Sequence, residues 1–360
     1  MTFSLPDFPW DSLAEDKALA AAHPGGIVDL SVGTPVDPVP GIVRDALAGP
    51  AADVPGYPTT HGPESLRTAV AGSLQRRFGV TVDPVAVLPT IGSKELVAWL
   101  PTLLGLGTDD TVVIPELAYP TYEVGVRLAG AQYVRSDSTA ALGPRRVALV
   151  WLNSPSNPTG RVLPAAHLRK VVDWARERGA VVASDECYLS LSHGAPSVLH
   201  PDVCGGSHEG LLAVHSMSKS SSLAGYRAGF VTGDPRLVAA LLEVRKHAGL
   251  IVPRPVQAAM EAAAGDDAHV SAQAEVYERR RARLRVALEA AGYRIEHSEA
   301  GLYLWATAGE PGRVTVRRLA EAGILVAPGE FYGPAGGQHV RVALTATDER
   351  IDEAVARLKP

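Results

Sequence analysis

The chain has 360 residues, 46% of them hydrophobic and 20% charged, an ordinary globular composition with enough apolar material for a large core; a mini-scaffold and a disordered tail are excluded. Lysine and arginine number 34 against 39 aspartates and glutamates, a formal net charge of −5, so there is no basic excess to hold phosphate backbones, which argues against nucleic acid as a partner. The two cysteines, Cys187 and Cys204, form neither a disulfide scaffold nor a paired metal knuckle and read as free thiols in a reducing compartment.

The N-terminal stretch Met1 to Ala20 has no basic start followed by an apolar run. No apolar run elsewhere approaches the roughly 18 residues that cross a bilayer, so the expectation is a soluble, cytoplasmic protein with no membrane partner. From about Glu64 to Arg245, short β-branched runs alternate with helical patterns, the signature of a parallel α/β sheet. The predicted strands are Val85 to Leu88, Thr111 to Pro115, Val147 to Asn153, Ala180 to Asp185, Leu211 to Ser216 and Tyr226 to Val231. Several are apolar throughout, as strands covered on both faces are. Leu66 to Phe78, Glu95 to Leu104 and Ala165 to Arg178 read as crossover helices, the last opened by Pro164 and closed by Gly179. Beyond Arg245 a long charged helix over about Ser271 to Ala291 precedes strands in GLYLWAT (Gly301 to Thr307), ILVAPG (Ile324 to Gly329) and HVRVALT (His339 to Thr345). The pattern predicts a large α/β domain over 41–246 and a smaller α+β domain built from 1–40 and 247–360.

Three local signals lead nowhere. The run Glu278 to Arg285 falls on a helix in a net-acidic chain and reads as a solvated face. His200, Cys204 and His208 are metal-competent and evenly spaced, but Pro201, Gly205 and Gly206 break any helix that would align them, and no metal site is predicted. Gly105-Leu106-Gly107 begins like a dinucleotide fingerprint, yet Asp110 stands where the third glycine belongs, so it reads as a helix-ending loop. GxxxxGK[ST] and GxSxG are both missing from the sequence.

The chemistry concentrates elsewhere. Ser216 to Phe230 places Lys219 at a strand end in a serine-rich turn, with Arg227 eight residues on. Such a lysine can form a Schiff base with an aldehyde while Ser216, Ser218 and Arg227 hold a phosphate on the same molecule, a combination that pyridoxal 5′-phosphate offers. Upstream, Asp185 and Glu186 end a strand predicted to be buried, where a carboxylate is costly unless it meets a cation. A protonated pyridine nitrogen is such a cation, and that role is assigned to Asp185, with Glu186 left to structure. Asn153 to Gly160 follows the strand VALVWLN and so lies at the strand edge where open α/β sheets bind ligands. Asn157 there, and Tyr188 after Asp185, can donate to a phenolate oxygen. Gly92-Ser93-Lys94 opens a helix whose free N–H groups suit a phosphate, and Tyr119 follows another strand where its ring can stack on a pyridine.

In this order and spacing the segments resemble the class I and II aminotransferases of pyridoxal-phosphate fold type I, over nearly the whole chain. The resemblance implies a mostly parallel central sheet in a large domain with a smaller α+β domain, and pyridoxal 5′-phosphate as cofactor. It implies Lys219 as the Schiff-base residue, Arg227, Gly92, Ser93 and Lys94 at the phosphate, Asn157, Asp185 and Tyr188 at the ring, and Tyr119 stacked on it. Tyr226 stands where the family often has tryptophan. Tyr57 in Gly56-Tyr57-Pro58 matches a tyrosine sent into the neighbouring subunit's phosphate site, which implies a homodimer with shared active sites. Arg341 matches the arginine that grips the substrate α-carboxylate, although by periodicity it is a strand-edge arginine; Gly33 in Ser31 to Pro35 matches a glycine gate over the substrate.

The implied activity is ping-pong transfer of an amino group between an amino acid and a 2-oxo acid, with Lys219, Asp185 and Tyr188 as the catalytic residues. Residues 4–40 and 55–67 resemble the actinobacterial-type N-succinyldiaminopimelate aminotransferases, which implies N-succinyl-L,L-2,6-diaminopimelate and the glutamate/2-oxoglutarate pair as substrates, in lysine and diaminopimelate biosynthesis. Lys94, Arg245, Lys246 and Arg254 are the candidate cations for such a substrate's distal carboxylates. The alternatives are an aminotransferase for aspartate or an aromatic or aliphatic amino acid, and a C–S β-lyase of the same fold.

Overall fold

A computed structural model describes residues 5–359; Met1 to Ser4, the beginning of the N-terminal stretch, and Pro360 lie outside the described residues. The strands in chain order are β1 (Val28–Asp29), β2 (Val87–Ile91), β3 (Thr111–Ile114), β4 (Gln132–Arg135), β5 (Val147–Asn153), β6 (Val181–Asp185), β7 (Leu211–Ser216), β8 (Ala228–Gly233), β9 (Arg294–Glu296), β10 (Tyr303–Thr307), β11 (Ile324–Leu325), β12 (Ala327–Pro328) and β13 (Val340–Ala343). A seven-stranded sheet has the order β2-β8-β7-β6-β5-β3-β4. Its members from β4 to β7 pair in parallel, while β8 runs antiparallel to both β7 and β2. The sheet is therefore mixed, and the fold class is α/β with a predominantly parallel centre.

Alternation along the central strands feeds two cores. Leu149, Trp151, Leu212 and Val214 pack on one face against the helices Gly92–Leu103 and Thr121–Leu128. Val150, Leu152, Leu211 and Ala213 pack on the other against helices that include Glu64–Phe78 and Ala165–Glu177. A separate core, with Leu304, Val342, Leu284 and Ile351 among its members, lies under the antiparallel sheet β12-β13-β10-β9; the parallel pair β1-β11 joins it through Val28 and Ile324. Among the described residues no helix is long and apolar enough to cross a membrane.

Several expectations are corrected. The helix Arg254–Gly265 lies past the expected boundary at 246 yet buries Val256, Ala259, Met260, Ala263 and Ala264 in the large sheet's core, so the division we propose falls after Gly265. Strand β2 begins at Val87 because Asp83 caps a tight turn at Pro84–Ala86, accepting the Val85 N–H at 2.9 Å. Strand β8 begins at Ala228 because Arg227 has φ +60 and ends a turn. The helix expected from Glu95 starts at Gly92, three residues closer to the end of β2. The charged run is not a solvated face throughout: Arg280 and Arg281 are buried, Arg280 bridging Asp37 and Asp348 and Arg281 bonding Glu278 and the Gly301 carbonyl. Of the evenly spaced trio, the His200 ring caps the helix Pro201–Cys204, while Cys204 and His208 both reach the Leu199 carbonyl.

Candidate active site

The sheet's connectivity reverses between β3 and β5: the chain leaves β3 for β4 on one side and then lays down β5, β6 and β7 on the other. Ligands of open α/β sheets bind beyond the strands' carboxyl ends at such a switch. Tyr119 follows β3, Asn157 follows β5, Asp185 ends β6, and Ser216, Ser218 and Lys219 follow from β7. Strand β2 runs in the same direction as β7, since both are antiparallel to β8, and so brings Gly92 to this edge; β8 starts there just after Arg227. All these residues except Gly92 line one cavity of about 860 Å³.

Asp185 is 5% exposed. Its Oδ2 accepts from the Tyr122 hydroxyl at 2.8 Å and its Oδ1 from the Cys187 N–H at 3.2 Å, and no cation pairs with it among the described residues. Burial raises its carboxyl above the ordinary range, and the donors from Cys187 and Tyr122 oppose that rise. A buried acid supplied with donors but facing an open cavity without a counter-charge fits a cationic ring nitrogen. Lys219 faces the same cavity, and burial lowers its amine to about 8, so far more of it is neutral at pH 7 than of an ordinary lysine. Arg341 and Arg227 push in the same direction, with Cys187 opposing them.

A concave anion site lies beside the lysine. Gly92 has φ +70, and a Cβ there would stand 2.6 Å from Nη2 of Arg227, so only glycine leaves the guanidinium its place. Gly229 plays the matching part from β8, where a Cβ would come within 2.9 Å of the Ser93 backbone nitrogen. Arg227 Nη1 donates to the Ala224 carbonyl at 2.8 Å, and the Ser216 hydroxyl accepts from the Ser218 N–H at 3.1 Å. A helix N-terminus, an arginine and two serines around a cradle that a side chain would fill match the phosphate of pyridoxal 5′-phosphate.

On the opposite wall Arg341, in β13 and 2% exposed, donates from Nη1 to Asn157 Oδ1 at 2.9 Å and from Nη2 to the Ser31 carbonyl at 2.6 Å. Its guanidinium lies 4.0 Å from the Tyr303 ring, 5.0 Å from Tyr332 and 5.8 Å from Trp10, and its Nε has no partner among the described residues. Aromatic faces stabilise the cation while leaving its fork able to meet a carboxylate. The Tyr303 hydroxyl bonds the Tyr188 hydroxyl at 3.1 Å, and a Cβ on Gly33 would stand 2.2 Å from that Tyr303 oxygen. Gly33 is thus glycine because Tyr303 lies against it.

Apart from Gly92, the predicted residues absent from this cavity's lining are Tyr57 and three of the four distal cations. Tyr57 is 94% exposed, in a loop whose Gly56 and Tyr57 carbonyls accept from Arg254. Arg245 is wholly buried and forms a two-pronged pair with Glu95, Lys246 pairs with Glu243, and Arg254 is taken up by that loop. Within this chain these three are held by other partners away from the cavity; of the four, Lys94 alone lines it, 5.8 Å from the Phe8 ring centroid. Burial, and Arg227 after it, lower the Lys94 amine. Sequence reasoning missed Tyr122, Tyr303, Trp10 and Lys17, all but Tyr122 among the cavity's lining. Each is an ordinary member of a helix, strand or N-terminal arm; the one usable signal was the GLYLWAT segment, which carries Tyr303 two residues after Gly301.

Comparison with known proteins identifies the family. The sequence pattern of the family "aminotransferase class I and II" matches residues 26–358. A probable aminotransferase of Mycobacterium tuberculosis is 65% identical over 99% of this chain and 85% of its own length. The 4-dedimethylamino-4-oxo-anhydrotetracycline transaminase of Streptomyces rimosus is 60% identical over 98% of this chain and 99% of its own. Among solved structures, a probable N-succinyldiaminopimelate aminotransferase of Thermus thermophilus superposes with a TM-score of 0.87 at 30% identity, covering 98% of this chain and 99% of the other.

Proposed function

The chain belongs to the class I and II aminotransferases and is a pyridoxal 5′-phosphate-dependent enzyme, and from that premise we propose that it moves an amino group between N-succinyl-L,L-2,6-diaminopimelate and the glutamate/2-oxoglutarate pair. The observation that carries the reading is the distribution of cations in the cavity. Arg341 offers a fork for the α-carboxylate, and Lys94 and Lys17, neither with a carboxylate partner among the described residues, remain for carboxylates at the far end. The Thermus relative and the resemblance of residues 4–40 support the same substrate.

When bound, the cofactor supplies an aldehyde that condenses with amines and a ring that accepts the electron pair released at the substrate Cα. Arg227, Ser216, Ser218 and the helix start at Gly92 and Ser93 would hold its phosphate, Asp185 would keep the proton on its ring nitrogen, and Tyr119 would stack on the ring. Asn157 and Tyr188 would donate to its phenolate oxygen. Arg341 orients the substrate by its α-carboxylate, which places the Cα proton within reach of Lys219. With the cofactor bound, the neutral Lys219 Nζ would take that proton from the substrate Cα and hand it on, a task its lowered basicity suits. Tyr57 serves the phosphate site of a second subunit in a homodimer, consistent with its exposure here.

A second reading draws on the Streptomyces relative: an amino group delivered to an oxo compound such as the one in that relative's name. The aromatic wall of Phe8, Trp10 and Phe331, with centroids 5.5 and 5.4 Å apart in succession, favours a flat apolar acceptor. One experiment separates the two. Cofactor-loaded protein is mixed with N-succinyl-L,L-diaminopimelate or with glutamate, without acceptor, and the visible band of the bound cofactor is followed. Loss of the band with both, reversed by 2-oxoglutarate, supports the first reading. Loss with glutamate alone refutes it and leaves the oxo acceptor to be tried.

A further inference from the structure

Two buried ionisable side chains border the site without serving it. Glu186 directly follows Asp185 at the end of β6, and His215 directly precedes Ser216 in β7. The two strands are parallel neighbours with Asp185 opposite Val214, and the Glu186 N–H donates to the Val214 carbonyl at 2.8 Å. Neither side chain lines the cavity. The His215 ring is stacked between Phe78 and Phe230, at centroid distances of 6.4 and 4.8 Å. Glu186 Oε1 accepts the Val198 N–H at 2.7 Å, whereas Oε2 faces His215 Nε2 at 3.6 Å, and neither of those two atoms has another hydrogen-bond partner among the described residues.

Of the pair's four protonation states, an acid beside an imidazolium is a lone buried cation and drops out, which leaves three. An ionised Glu186 opposite a neutral imidazole would be a 2% exposed anion adjacent in sequence to Asp185, with no cation near it. A carboxylate with an imidazolium would bury two charges between phenyl rings, and their attraction must then repay the desolvation of both. A single proton on Oε2, directed at Nε2, leaves both groups uncharged and gives each orphaned atom a partner. The separation exceeds hydrogen-bond range by a few tenths of an ångström, which side-chain rotation closes. Burial pushes the Glu186 carboxyl up to about 7 and the His215 imidazole down to about 3, with Asp185 adding to the Glu186 rise and the Ser184 and Ser197 hydroxyls and the Val198 N–H opposing it.

We propose that Glu186 is a carboxylic acid at neutral pH, bonded to neutral His215, and that this uncharged clamp is a positioning device. It ties the ends of β6 and β7, and with them Asp185 and the turn carrying Lys219, without placing a second negative charge beside Asp185. The positioning half rests on the roles proposed above for Asp185 and Lys219; the protonation half does not.

Infrared difference spectra of the holoenzyme against Glu186→Gln test the protonation directly. The expected result is the carbonyl stretch of a buried carboxylic acid in the wild type, shifted in heavy water and missing from the variant; carboxylate bands in its place overturn the proposal. In His215→Phe the band is expected to move to higher frequency as its hydrogen bond is lost, and an unmoved band refutes His215 as the partner. For the positioning half, Glu186→Leu should lower kcat roughly ten-fold with KM near the wild-type value, as misplacement of reacting groups does. Glu186→Gln, neutral and able to donate to Nε2, should restore most of that loss. Wild-type kcat in the leucine variant overturns the positioning role, and if that variant does not fold, His215→Phe carries the same comparison. Absence of turnover in the wild type itself would count against the proposed substrate and leave the infrared result standing.

Discussion

Tyr122 offers the cleanest perturbation of the site, because it acts through a single atom. Its hydroxyl donates to Asp185 Oδ2 at 2.8 Å while its ring stacks on Trp151 at a centroid distance of 4.9 Å, and both rings are fully buried. Tyr122→Phe keeps the stacking and deletes the donor, leaving Asp185 with the longer bond from the Cys187 N–H at 3.2 Å. Burial already raises the Asp185 carboxyl, so losing a donor to its charged form raises it further and reduces the ionised fraction. A hydrogen bond to a charged group contributes about 1.5–3 kcal/mol, which corresponds to roughly a ten- to hundred-fold loss of affinity for a cofactor whose ring nitrogen needs the carboxylate. The assay is titration of the cofactor-free variant with pyridoxal 5′-phosphate, read by visible absorbance from mildly acidic to mildly alkaline pH, with the deficit largest at the acidic end. Unchanged affinity and kcat at every pH, in a variant of wild-type thermal stability, would refute Asp185 as the partner of the ring nitrogen.

Other substitutions test the remaining walls. Lys219→Met should abolish turnover. In the cofactor-free protein it should also stabilise the fold at pH 7 by on the order of 2–3 kcal/mol, since a buried ammonium is removed. The sign follows from the lowered amine: between about 8 and the ordinary 10.5 the unfolded chain binds the extra proton, so wild-type stability rises with pH and the variant's advantage fades across that window in denaturant titrations. Arg341→Lys keeps the charge but loses the planar fork shared with Asn157 and Ser31, and should cost roughly a hundred-fold in kcat/KM for every α-carboxylate substrate. Gly92→Ala places a Cβ against Arg227 at φ +70; thermal melts should show a loss of about 1–2 kcal/mol, and cofactor titration a weakened phosphate site. Lys94→Gln should raise KM for the succinylated substrate about ten-fold and leave KM for glutamate within about two-fold, the smaller effect reflecting its shorter reach.

Much of the site was legible because an α/β sheet delivers its chemistry locally. Asp185 ends an apolar strand, and Lys219 and Asn157 sit in the polar turns shortly after one, so a hydrophobic run that gives way to an acid, a lysine or an asparagine already marks the cavity's edge. The hydrogen bonds that tune those residues have no such local mark. Tyr122 meets Asp185 across 63 residues, Arg341 meets Asn157 across 184 and the Ser31 carbonyl across 310. The same limit misplaced the cations: Arg245 and Lys94 look alike in sequence, but Arg245 is held by Glu95, 150 residues away, and only Lys94 faces the cavity. Arg280 shows it again, since the Asp37 that draws it inward is 243 residues distant.

The sequence by itself determined the alternation of strands and helices, the strand ends that carry the reacting groups, and the glycines that such turns require, because those follow from periodicity and backbone geometry within a few residues. Only the tertiary structure decided which charges are buried and paired, which aromatic rings enclose Arg341, and that Glu186 and His215 confront each other behind Asp185. Burial and partner choice are properties of surfaces brought together across the chain, and in a low-dielectric interior they set the charge state on which the chemistry depends.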